Sequence, residues 1–124
     1  MDIASYFNDM MVDKSNQGGK GIRTYLENCV TDLKMDLTLR TYLAHSAITN
    51  SSEKPDQTSI EEQLPLLKEE VKCCMLLNNY LGGIWALQML SKEDYQLGAL
   101  EVFNFKLAES RIQMFNFVKS TYFD

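Results

Sequence analysis

Two side chains with catalytic potential, Arg40 and His45, lie close together in the first half of the chain. A histidine titrates near neutral pH, so it can accept and release a proton during a reaction. An arginine presents a planar fork of N–H donors that matches the oxygens of a phosphate group. The two residue types therefore suit chemistry at a phosphate, provided that the fold brings them together.

The six residues Arg40-Thr41-Tyr42-Leu43-Ala44-His45 resemble the R-x4-6-H motif of HEPN-domain ribonucleases. Those are all-α domains of similar size, often one half of a toxin–antitoxin or phage-defence pair. The resemblance implies a metal-independent ribonuclease in which Arg40 holds the RNA phosphate and His45 helps to move the proton of a 2′-hydroxyl. It also implies that both residues meet their symmetry mates across a dimer interface. Thr41 departs from the family, which usually has Asn, Asp or His there.

A structural role for the same residues is the alternative. Asp36 and Arg40 are spaced as an i,i+4 ion pair on a helix surface, and His45 precedes a polar loop. Positions five apart on an ideal helix point about 140° apart, so Arg40 and His45 converge only if the helix ends or bends between them. The non-catalytic interpretation places Arg40 against Asp36 and leaves His45 near a helix end.

Metal and cofactor sites find little support in the sequence. There is one histidine, and Cys73 and Cys74 are adjacent, whereas zinc sites need three or four converging ligands. The stretch Gly18-Gly19-Lys20-Gly21 lacks the preceding strand and the hydroxyl residue of a phosphate-binding loop. We expect neither a metal nor a cofactor.

The charge and the cysteines limit the partners and the compartment. The net charge of −5 repels nucleic-acid phosphates, which argues against a nucleic-acid partner. Three cysteines, two of them adjacent, predict free thiols in a reducing compartment. Asp2, Asp9 and Asp13 interrupt any secretory apolar region, and residues 71–90 are too polar to span a bilayer. We therefore expect a cytoplasmic protein without a transmembrane segment.

Apolar periodicity predicts helices over most of the chain. We expect a short helix at 2–14, a glycine-rich loop at 15–21, and a second helix at 22–48. That second helix carries two apolar stripes on different faces, so it is either buried on two sides or bent near residues 34–36. A polar loop at 49–58 follows it.

The third predicted helix is apolar all round at residues 73–77, which is typical of a central, buried helix. Ser59 and Glu62 form a capping-box pattern, but Pro65 favours a helix that begins at the proline. Gly82 and Gly83 predict an end or a tightening of this helix before the apolar character resumes up to Leu90.

Residues 92–122 predict a long last helix that begins with a cap at Ser91. Its heptad-like seam includes Leu100, Phe103, Leu107 and Met114, with a polar break at Ser110. We expect the seam to bind a partner while Val102, Ile112 and Phe115 pack on the body of the protein. The reverse assignment of the two faces is the alternative. The simplest partner is a second copy in a two-fold dimer.

Together these elements predict an all-α protein, a compact bundle of four to five helices with a long C-terminal helix, and no strand. The length suits a single helical domain over residues 1–124. The function that fits best is a non-catalytic protein-interaction module: an adaptor, a chaperone or immunity-type inhibitor, or a viral host-factor antagonist. It would bind another protein or a second copy of itself. The alternative is the HEPN-like ribonuclease that uses Arg40 and His45.

Overall fold

Most of the chain is α-helical, as its periodicity predicts. The structure is a computed structural model that describes residues 3–13, 22–50, 57–92 and 99–124. It contains two short strands, β1 (Val12–Asp13) and β2 (Arg23–Thr24), and a 3-10 helix (Leu26–Asn28). The predicted all-α class with a long C-terminal helix is confirmed. The α-helices are α1 (Ile3–Asp9), α2 (Asp32–Asn50), α3 (Gln57–Leu90) and α4 (Ala99–Tyr122).

Contacts between residues divide the chain into two units. The middle unit is Val30–Lys72, and the terminal unit joins Met1–Cys29 to Cys73–Asp124. Helix α3 contributes to both units, because the division falls between Lys72 and Cys73. The single-domain organisation that the chain length suggests stays a prediction.

In the middle unit, helix α2 begins ten residues later than predicted, at Asp32. Thr31 caps it, because its hydroxyl oxygen lies 3.3 Å from the backbone N–H of Lys34 and accepts a hydrogen bond from it. Met35 and Leu39 are fully buried in this unit. The helix is unbroken from Asp32 to Asn50, so it has no interruption near residues 34–36, and Leu33 and Leu37 are exposed, so it is not buried on two sides.

Helix α3 begins at Gln57, so the prediction that it starts at Pro65 is wrong. Pro65 lies inside the helix and has no N–H to donate to the carbonyl of Glu61, one turn earlier. Ile60 and Leu64 are buried, so packing of this first segment outweighs the lost hydrogen bond.

Gly82 and Gly83 do not end helix α3, which continues to Leu90. Ser91, predicted to cap the last helix, instead lies at the C-terminal end of α3. Its hydroxyl donates a hydrogen bond of 2.7 Å to the carbonyl of Gln88. Side-chain bonding to a terminal carbonyl satisfies a group that the helix itself leaves without a partner.

The terminal unit contains a feature that the sequence did not predict, a two-stranded antiparallel pairing. Val12 pairs with Thr24 and Asp13 with Arg23, and the backbone N–H of Tyr25 donates to the carbonyl of Met11. Strands of two residues are too short to show the alternation by which strands are recognised. The pairing also shortens the first helix, which ends at Asp9 rather than at residue 14.

Helix α4 packs one face into the terminal unit. Leu107, Met114 and Val118 are buried, and Ser110, the predicted polar break, is buried between them. The hydroxyl oxygen of Ser110 lies 2.7 Å from that of Thr24, within hydrogen-bonding distance. Residues 93–98 of this predicted helix and the predicted glycine-rich loop at 15–21 lie outside the described residues, as does most of the polar loop at 49–58.

Candidate interaction surface

Arg40, the first predicted catalytic residue, is engaged in an ion pair within the middle unit. Its guanidinium donates hydrogen bonds to both carboxylate oxygens of Glu61, and the bond from Nη2 to Oε2 measures 3.1 Å. The bond raises the pKa of Arg40 and lowers that of Glu61. The predicted ion pair of Arg40 with Asp36 is not formed, because Oδ1 of Asp36 lies 2.9 Å from Nζ of Lys68 instead.

His45, the second predicted catalytic residue, is exposed on the same helix. Helix α2 runs from Asp32 to Asn50 without interruption, so the side chains of Arg40 and His45 leave it about 140° apart. The structure therefore does not bring the two residues into a common cleft. The fork of Arg40 that would hold a phosphate is already occupied by a carboxylate.

A chain of polar side chains crosses the interior of the terminal unit. Asn8 donates a hydrogen bond of 3.1 Å to the carbonyl of Met75, Asn79 donates to Oδ1 of Asn8 at 3.0 Å, and Arg111 donates to Oδ1 of Asn79 at 3.1 Å. Asn8 and Asn79 are almost completely buried. Buried polar groups must be hydrogen-bonded, so this chain fixes α1, α3 and α4 in one register.

Arg111 closes this polar chain at its solvent end. Burial lowers the pKa of its guanidinium, and Asp9, whose carboxylate is 3.8 Å away, opposes that effect. Gly82 leaves the space that Arg111 occupies, since a Cβ there would lie 3.2 Å from Nε of Arg111. One sequence signal points to this network: Asn79 is an uncharged polar residue in the middle of an apolar run.

Helix α3 exposes an apolar ridge on the terminal unit, which we call the outer face. It consists of Cys73, Leu77, Leu81 and Trp85, spaced four residues apart, and the last three are 52%, 52% and 50% exposed. Residues 73–91 contain no charged side chain. The predicted burial of residues 73–77 on all sides is therefore wrong for the single chain: one side packs inward through Met75, and the opposite side faces solvent.

An apolar groove of about 340 Å³ lies beside the outer face, between α3 and α4. The rings of Tyr80 and Phe115, which both line it, contact each other at a tilt of 46°, with ring centroids 5.9 Å apart. The volume lies at the lower end of the range for ligand sites, and the wall offers almost no polar group that would orient a small molecule. The groove is lined by Asn79, Tyr80, Gly83, Ile84, Leu87, Ile112, Phe115 and Asn116.

The residues predicted to bind a partner through α4 fall into three groups. Leu107 and Met114 lie in the buried face, and Phe103 is 37% exposed. The side chain of Leu100 lies outside the described residues. Ile112, expected to pack on the body of the protein, is instead 50% exposed and lines the groove. The surface of α4 that is open to a partner is therefore the off-seam side.

Among the residues that the structure describes, no group of three or more histidine, cysteine or acidic side chains is placed to hold a metal ion. Cys29, Cys73 and Cys74 form no disulfide bond. Among the described helices, none combines the length and the apolar character that crossing a membrane requires.

Comparison of the chain with protein-family models, with characterised proteins and with solved structures finds no match. The inference of function therefore depends on the geometry of the surface. The arrangement described above can bind through apolar contact, and it holds no assembled set of reacting groups among the described residues.

Proposed function

We propose that this protein is a non-catalytic interaction module that binds another protein chain, or a second copy of itself, through the outer face of α3 and the adjoining groove. The observation that carries the proposal is the exposure of Leu77, Leu81 and Trp85 along a helix face without charge. Single exposed apolar residues are ordinary, but a contiguous exposed patch marks an interaction site.

The composition of the surface favours a protein over a small molecule or a nucleic acid. Trp85 and Tyr80 are the residue types that dominate the binding energy of protein interfaces, and both are about half exposed. The net charge of −5 opposes binding to phosphate backbones. The proposed classes are an adaptor, a chaperone or immunity-type inhibitor, or a viral host-factor antagonist. Three free thiols fit a reducing compartment, so we place the protein in the cytoplasm.

Photo-crosslinking in cells tests the proposal. A photoreactive residue, benzoylphenylalanine, replaces Trp85 on the outer face in one variant and Leu33 in a matched control. Leu33 is 69% exposed on α2, outside the outer face and the groove. We expect irradiation to give a discrete protein adduct from the variant at position 85 and none from the control. Absence of an adduct at position 85 would contradict the proposed function.

A further inference from the structure

The spacing of the outer face determines what can pack on it. Leu77, Leu81 and Trp85 form a row with four-residue spacing, and such rows pack into the grooves between rows of a facing helix. The commonest packing of two helices uses rows of this kind on both partners. The best matched occupant is therefore another helix with an exposed row at the same spacing.

The charge of the face separates the candidate occupants. A basic partner would be attracted to a protein of net charge −5, but it finds no carboxylate from Cys73 to Ser91 with which to pair. A second copy brings a face that is equally free of charge, so contact places no like charges opposite each other. The repulsion between two acidic copies then acts at longer range, where physiological salt screens it.

The apolar area is sufficient for self-association. Six large side chains of α3, on the outer face and on the adjoining wall of the groove, are each about 40–50% exposed, and at roughly 200 Å² for a large side chain they offer about 600 Å² per copy. Two copies would bury about 1,200 Å², which reaches the lower limit for a stable, specific interface. The six are Leu77, Tyr80, Leu81, Ile84, Trp85 and Leu87.

We propose that the occupant of the outer face is a second copy of this chain, packed with α3 against α3 about a two-fold axis. This inference rests on the proposed function and names its partner. Two-fold symmetry uses the same surface on both copies, so one exposed face per chain is enough to close the assembly. Leu81, midway between Leu77 and Trp85, lies where the two helices cross.

Light scattering on the purified chain, from micromolar to submillimolar concentration, tests the dimer. We expect the wild-type protein to reach twice its monomer mass. Leu81→Glu should weaken association by at least about 100-fold, because two like charges would meet at the crossing. Leu33→Glu makes the same change at an exposed leucine outside the face and should leave the dimer unchanged. Circular dichroism checks that both variants remain helical.

A second measurement keeps the test valid if Leu81→Glu unfolds. Alkylation of Cys73, on the outer face, should slow as the concentration of wild-type protein rises, while alkylation of Cys29 should not.

A wild-type monomer at every concentration, or a dimer that resists Leu81→Glu, would overturn the second-copy proposal. A monomer that still gives an adduct with a different protein from position 85 would overturn it and leave the proposed function standing. A monomer that binds neutral phosphatidylcholine vesicles instead would overturn it as well.

Discussion

The two parts of helix α3 meet solvent in opposite ways. From Gln57 to Lys72 the helix carries six charged side chains. Two of them, Glu61 and Lys68, form ion pairs with Arg40 and Asp36 of α2. From Cys73 to Leu90 it carries none, and its outward side is apolar. The charged part presents ionised groups to water, whereas the uncharged part leaves a row of apolar side chains in contact with water.

The interior of the uncharged part offers the largest expected effect. Asn79→Ala removes the hydrogen bond that Asn79 donates to Oδ1 of Asn8 and the bond that it accepts from Arg111, so a buried oxygen and a partly buried guanidinium each lose a partner. We expect the free energy of unfolding to fall by about 3 kcal/mol. Chemical denaturation measures it. Asn116→Ala, on an exposed position of α4, is the control and should change stability by less than about 0.5 kcal/mol. Equal effects of the two substitutions would show that the polar chain does not bind α3 to α4.

The two adjacent glycines of α3 give a smaller, paired effect. Gly83→Ala places a Cβ at 3.6 Å from Cβ of Arg111, an ordinary contact, and should stabilise the helix by about 0.5–1 kcal/mol. Gly82→Ala places one at 3.2 Å from Nε of Arg111, so the guanidinium must shift and most of that gain is lost. Thermal unfolding of the two variants compares them. A larger gain at Gly82 would mean that Arg111 does not occupy the space described.

The charged part should show a weak dependence on pH. The pKa of Glu61 is lowered in the folded protein, chiefly by its hydrogen bond from Arg40, from an ordinary value of 4.5. A lowered carboxyl pKa contributes stability that is present above 4.5 and is lost as the pH falls through the folded pKa. Glu61→Gln should remove this acid-dependent loss. Unfolding midpoints at pH 6 and pH 3 measure it for both proteins, and the variant should lose less than the wild type.

His45→Ala should have the smallest effect of all. The side chain is exposed on an unbroken helix, so stability should change by less than about 0.5 kcal/mol. If the chain is an interaction module, neither the wild type nor the variant cleaves a generic RNA. Metal-independent cleavage by the wild type that disappears in His45→Ala would reject the module and establish the ribonuclease alternative.

Local sequence patterns predicted the helical class and the long last helix, because helical periodicity depends on residues that are close together in sequence. These patterns did not predict the features that depend on contacts between residues distant in sequence. Nothing near Arg40 in sequence indicates that Glu61, on the next helix, is its partner. The two-residue strands exist only through pairing with each other. Pro65 is tolerated because Ile60 and Leu64, before it, find burial in the middle unit.

The outer face was hidden for a different reason. A helix that is apolar all round has no polar side to mark its outward direction, so periodicity cannot say which residues face the core. Met75 and Leu77 are equally apolar, yet one is fully buried and the other half exposed. The same difficulty applies to α4, where Leu107 and Met114 of the predicted partner-binding seam are buried. The hydrogen bond between Arg111 and Asn79 contributes to the rotation that these helices adopt.

Pro65 has a consequence for the order in which α3 opens. A helix propagates because each new residue adds one hydrogen bond to those already formed, and the proline omits that bond at its position. The missing hydrogen bond weakens the coupling between the segment from Gln57 to Leu64 and the remainder of the helix. The ion pair of Glu61 with Arg40 attaches this segment to α2. Amide hydrogen exchange should therefore show this segment fraying as its own cooperative unit, with Glu61→Gln accelerating exchange before Pro65 and leaving the amides around Met75 unchanged.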